Sequence, residues 1–266
     1  MSTHGICSLV QEHGKYVKSH LIPRSLTLIS SNGNKRIETS LDPNHRIKRR
    51  FDSWYDLELC IRKGEDILSD IDNLGIQILR NHQLIWSGWQ GSTINSDDLI
   101  LAKDGIGLRV IKFQKKDAND LQLFFLSLLW RAGATKIPEF DTVKLDQSII
   151  EDLRQRLLNK DCEIFDDYPV MLFPIITKGY EHNRTPITER YTQDGIESLK
   201  NRLYVRFYFD GLVAYIFLPQ NNLTTDTQNN TQALFVNDSS TLVFCRSFDG
   251  SRTLDNLMVH AGIYNT

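Results

Sequence analysis

The chain of 266 residues has only four cysteines, at 7, 60, 162 and 245, and no two of them stand in C-x-x-C spacing. So few thiols, so far apart, do not make a disulfide framework in a chain of this length. Long apolar runs are also missing. The longest, "LQLFFLSLLW", falls well short of the roughly 20 residues that cross a bilayer. The opening "MSTHGICSLVQEHGK" lacks a basic segment followed by an apolar one, so the expectation is a cytoplasmic protein with reduced thiols and no membrane contact. There is no glycine-rich phosphate loop, no H-E-x-x-H and no Ser-His-Asp order, which removes the nucleotide-loop, zincin and serine-hydrolase readings.

What is present fits an ordinary globular chain. Hydrophobic residues make up 41% and charged residues 24%, enough for one large core or two small ones. The formal net charge is −2, but it is unevenly spread. Residues 1–63 carry eleven Lys and Arg against six Asp and Glu; the remainder carries twenty against twenty-seven. A locally basic first third suits a polyanion, and equally suits a solvated surface.

Periodicity divides the chain into an N-terminal module at 1–90 and an α+β region at 91–266. Residues 5–26 read as a short hairpin with "KYVKSHLI" as its second strand, stopped by Pro23. "GEDILSDIDNLGIQILR" reads as a helix over 64–80, with Ile67, Leu68, Ile71, Leu74, Ile78 and Leu79 on one arc. Glu65, Ser69 and Asp72 fall on one stripe, because i, i+4 and i+7 share a helix face. "HQLIWSGWQG" and "GIGLRVIKF" read as strands. A helix over 117–133 has Leu121, Phe124, Phe125, Leu128, Leu129 and Ala132 at helical spacing. Leu123, Leu126 and Trp130 make it apolar nearly all round, the signature of a central buried helix. A second, amphipathic helix spans 146–160. Beyond Tyr168 the pattern is β-rich, with "YPVMLFPII" as a buried strand and β-hairpins across 202–245. Asp210-Gly211 is the strongest turn signal.

Two segments carry the chemistry. "SHLIPR" and "DLELCIRKGEDILSDIDNLG", with Cys7 upstream and "LWRA" at 129–132, resemble a bacterial HNH endonuclease-like (ββα-metal) family. The shared positions are Cys7, Ser19 to Pro23, Leu59, Cys60, Glu65, Asp72 and Gly75. The family pattern has a second cysteine in each pair, where this chain has Val10 and Lys63. The resemblance implies an α+β fold with an N-terminal ββα module, a buried helix pair and a C-terminal antiparallel β-rich region. It implies His20 as general base, with Glu65, Asp72 and Ser19 around a Mg2+ or Mn2+ ion. Of a structural zinc site it leaves Cys7 and Cys60, with His4 or His13 as substitutes. Four ligands are not assembled, so the expectation is that the structural Zn2+ is lost.

Phosphodiester hydrolysis needs a base and a divalent metal at the leaving oxygen. The resemblance therefore implies a metal-dependent nuclease on DNA or RNA, in a bacterial defence or mobile-element setting. Arg46, Lys48, Arg49 and Arg50, together with Arg24, would meet phosphates, and Trp54 and Tyr55 would stack on bases. The degenerate cysteines open another reading: a catalytically silent HNH-like adaptor subunit whose β-rich half contacts a protein partner. The residues also allow plainer roles. A histidine at a strand end is often only hydrogen-bonded, and an acid in the first helical turn answers the helix dipole. Cys162 and Cys245 read as inert thiols.

Overall fold

The computed structural model describes residues 3–27, 36–39, 48–50, 53–89, 91, 94, 99–101, 106–160, 167–179, 182–192, 199–219, 241–249 and 251–255. In chain order the strands and helices are β1 (His4–Ile6), β2 (His13–His20), β3 (Arg36–Thr39), β4 (Lys48–Arg50), β5 (Tyr55–Ile61), α1 (Arg62–Asn81), β6 (Leu99–Leu101), β7 (Ile106–Ile111), α2 (Lys115–Ala134), α3 (Gln147–Asn159), β8 (Val170–Pro174), β9 (His182–Arg190), β10 (Leu203–Phe209), β11 (Leu212–Phe217) and β12 (Thr241–Arg246). The class is α+β. Among the described strands pairing is antiparallel, except that β3 lies parallel to β9; a single parallel bridge also joins Ile175 and Arg246.

Among the described residues three sheets form: β1-β2-β5, then β4-β3-β9-β10-β11-β8, then β12-β7-β6. α2 runs through the middle of the core. Every residue from Leu121 to Ala132 is buried, as its all-round apolar pattern requires. On one side it meets α1, where Gly75 makes room: a Cβ there would stand 2.4 Å from the Phe124 side chain. On the other it meets the six-stranded sheet, with Phe124 edge-on to Phe209 at 6.2 Å. α1 ends where Gln83 adopts a left-handed backbone, φ 52°, a common way to stop a helix.

The segment 82–91, expected as a strand, is instead a short 3-10 turn at Trp86–Gly88. The reason is tertiary. The Trp86 backbone N–H donates to the Asp210 carbonyl at 2.9 Å, and its indole N–H donates to the Ile175 carbonyl at 2.8 Å. Both bonds pin the turn beneath the β10–β11 hairpin. That hairpin turns at Asp210 (φ 47°) and Gly211 (φ 77°), the positive-φ pair of a type I′ turn. At Gly211 a Cβ would meet the Trp86 indole at 2.2 Å, so the position needs glycine.

Of the hairpin expected over 233–248, the first strand and the turn at Asn237–Ser240 lie outside the described residues; its second strand, β12, pairs with the distant β7. Residues before 90 supply strands to two sheets: β3 and β4 extend the six-stranded sheet rather than the β1-β2-β5 sheet.

Candidate functional site

β2 and β5 pair antiparallel, with Ser19 opposite Asp56 and His20 opposite Tyr55 after an irregular step following Val17. β5 runs straight into α1, with Ile61 in extended conformation as the hinge and no side-chain cap. Glu65 therefore sits in the first helical turn, where the helix dipole favours an acid. This strand–strand–helix unit presents one wall made of the end of β2 and the Glu65–Asp72 stripe of α1. Ser69 is exposed, but Glu65 and Asp72 turn toward α2 and are partly buried.

Arg131 of α2 fills that wall. Its side chain is 2% exposed and forms an ion pair with Asp72. Nη1 donates to Asp72 Oδ2 at 3.1 Å and to the His20 carbonyl at 3.0 Å. Nη2 donates to Asp72 Oδ1 and to the Ser127 hydroxyl, and Nε donates to the Ser127 carbonyl. All five guanidinium N–H groups thus have acceptors. Such a fork-to-fork contact is the strongest geometry available to a buried ion pair. Burial pushes the Asp72 carboxyl up, and Arg131 pulls it back toward the charged form.

The sequence-derived site residues do converge. The Glu65 carboxyl senses Ser19, Arg131, Asp72 and His20 together. Its pKa is pushed up, first by burial, and Ser19 and Arg131 work against that. Its Oε2 is buried and has no hydrogen-bond partner among the described residues. The Ser19 hydroxyl lies close to both Glu65 and Cys60 without well-formed hydrogen-bond geometry to either. His20 is half-buried, its ring edge-on to Tyr55 at 6.3 Å. Lys18 stands 4.0 Å above the same Tyr55 ring.

Mg2+ or Mn2+ would need several oxygens with free lone pairs. Asp72 commits both of its oxygens to Arg131, and buried Glu65 is biased toward its neutral form. Among the described residues no three of His, Cys, Asp or Glu gather into a metal-binding group. In this arrangement the side chains do not fit a divalent ion.

The cysteine side of the module is equally compact. Cys7 and Cys60 are both fully buried, free thiols that lie side by side against Gly64, and their closeness holds Cys7 down and pushes Cys60 up. Cys7 Sγ rests on Gly64, where a Cβ would stand 2.8 Å away. At the two positions lacking cysteine, Val10 packs on the core and Lys63 reaches Glu12 in an exposed ion pair. His4 is exposed and stacks on His13 at 6.4 Å.

The basic residues scatter. Arg24 is exposed in the turn just after Pro23. Lys48, Arg49 and Arg50 form β4, the edge strand of the large sheet, and Arg46 lies outside the described residues, as does Cys162. Trp54 belongs to the core, 3% exposed and edge-on to Phe140.

Arg131 is the residue of this wall that sequence reasoning missed. It stands in "LWRA", but no role followed from the motif. The available signal was a lone arginine inside a helix otherwise apolar on every side, which demands a buried carboxylate partner. No protein-family model, curated protein or solved structure matches the chain.

Proposed function

We propose that this chain is a non-cleaving HNH-like adaptor or binding subunit. In this reading a buried guanidinium takes the place that a divalent ion holds in the nuclease members of the family it resembles. The observation that carries it is the fork of Arg131 on both oxygens of Asp72. A catalytic metal offers open coordination positions to water and substrate. A guanidinium whose five N–H groups are all used offers none, so Arg131 holds the strand end and the helix together without polarising a phosphate. The Cys7–Cys60 contact supports the same reading: the two thiols meet each other where the resemblance implies a four-ligand zinc. A protein partner is favoured by the uncovered apolar residues Ile6 (60% exposed) and Leu57 (57% exposed), which line a groove of about 460 Å³. Exposed aliphatic surface of this kind commonly marks protein contact.

One observation favours the second reading, a Mg2+- or Mn2+-dependent nuclease with His20 as base. Ser19, His20, Glu65 and Asp72 meet at one place, and His20 keeps partial access to solvent. The decisive experiment incubates purified protein with Mg2+ or Mn2+ and plasmid, single-stranded DNA or RNA, beside His20→Ala. The adaptor reading expects wild type and variant to be equally inert. Cleavage by wild type that disappears in His20→Ala overturns it.

A further inference from the structure

The six-stranded sheet has a second face, turned away from α2, and it encloses a cavity of about 70 Å³. Its walls include four arginines: Arg184, Arg206, Arg246 and Arg252. The strand register explains the first two. Tyr208 lies opposite Arg184, while Arg206 lies opposite Ile187, so β9 carries one more residue than β10 over this stretch. Strict alternation would put Thr185 opposite Tyr208 and send Arg184 to the other face. The bulge brings Arg184 onto the face of Arg206 and Tyr208, which is how bulges re-aim side chains at sites.

The cationic excess is large. Arg184 is 5% exposed and Arg206 7%. The Arg184 Nε is buried and meets no hydrogen-bond partner among the described residues. Glu189 is the one carboxylate whose ion pairs with these arginines are seen among the described residues; it lies 3.6 Å from Arg206 and 3.4 Å from Arg252 and also accepts the Tyr204 hydroxyl. Burial, and then the neighbouring Arg206, hold Arg184 down to about 10. Tyr208 and Tyr215 flank the arginines. A buried cation costs several kcal/mol where it is weakly answered, and among the described residues only Glu189 offsets the charge of Arg184, so the cavity suits an anion.

We propose that this cavity binds a phosphate group, either inorganic phosphate or the terminal group of a small phosphomonoester. Among the described residues, four guanidiniums against one carboxylate favour a dianion over a monoanion. Arginine forks match phosphate oxygens two at a time. At about 15 Å³ of such space per water, the cavity holds a few waters, or the tetrahedral head that displaces them.

The test is calorimetric titration of the full chain at low ionic strength with sodium phosphate, AMP and sodium acetate. One saturable site for phosphate or AMP with Kd below about 1 mM is expected, with acetate at least about tenfold weaker. AMP binding as tightly as phosphate assigns a phosphomonoester; phosphate binding with AMP excluded assigns the free ion. Arg184→Met is expected to lose about tenfold or more in affinity without a lower melting temperature, because it removes a charge that burial and Arg206 both penalise. Arg246→Ala changes an exposed residue, so it keeps the fold, and weaker phosphate binding is expected there too. No saturable phosphate binding by wild type, acetate binding as tightly as phosphate, or wild-type affinity in Arg246→Ala overturns the proposal.

Discussion

Arg131→Met is the most informative perturbation of the ββα wall. Methionine keeps most of the volume and removes all five donors. Asp72 then remains buried with both oxygens unanswered, and the His20 carbonyl loses its partner. Breaking a buried pair by deleting one member costs about 3–5 kcal/mol. For a chain of this size each kcal/mol moves the melting temperature by roughly 2–4 °C, so a drop of about 6–20 °C is expected. The companion variant is Arg131→Met with Asp72→Leu. Replacing both charges by apolar groups recovers most of the loss, since the penalty belongs to the orphaned carboxylate rather than to the missing attraction. The assay is thermal and urea unfolding of wild type, both single variants and the double variant, read as a double-mutant cycle. Additive losses, or a single-variant effect under about 1 kcal/mol, would refute the claim that this pair organises the wall.

Three further outcomes follow from neighbouring geometry. Arg131→Ala opens the space between Asp72 and Glu65, and millimolar Mn2+ is expected to raise its melting temperature while leaving wild type unchanged. Glu65 has a raised pKa, so the folded state keeps a proton that the unfolded state has released. Stability must therefore fall as pH rises from the ordinary carboxylate range through the raised value, and Glu65→Gln should flatten that slope and gain about 1–3 kcal/mol at neutral pH. Melting curves across pH would check this, and an unchanged slope would count against it. Gly75→Ala should cost more than about 2 kcal/mol, because its methyl meets Phe124 at 2.4 Å between two packed helices; wild-type unfolding by that variant would mean that α1 and α2 pack less closely than described.

Much of the local structure was legible in the residues. The helices at 64–80, 117–133 and 146–160 emerge within two residues of their observed ends, because apolar spacing dictates which face a helix buries. Asp210-Gly211 announced its hairpin because few other pairs accept two positive φ angles. Other elements were hidden. β9, "HNRTPITER", is polar and holds Pro186, so nothing in its composition marks it as a buried strand; its neighbours β3 and β10 supply that role. The 82–91 segment alternates like a strand, yet its backbone is claimed by Asp210 from far along the chain.

The candidate site divides in the same way. Short-range rules place Ser19 and His20 at a strand end and Glu65 with Asp72 on one helical stripe, and these follow from strand and helix periods alone. Which side of the stripe is buried, and what meets it, depends on α2. Only the packed structure brings Arg131 onto Asp72, joins Cys7 to Cys60, carries the basic run at 48–50 to the edge of a different sheet, and gathers Arg184 and Arg206 from β9 and β10 around one cavity. Local sequence sets dihedral preferences and faces over a few residues. Partners separated by tens of residues are chosen by the competition to bury surface and satisfy charge, and that choice is made by the whole chain.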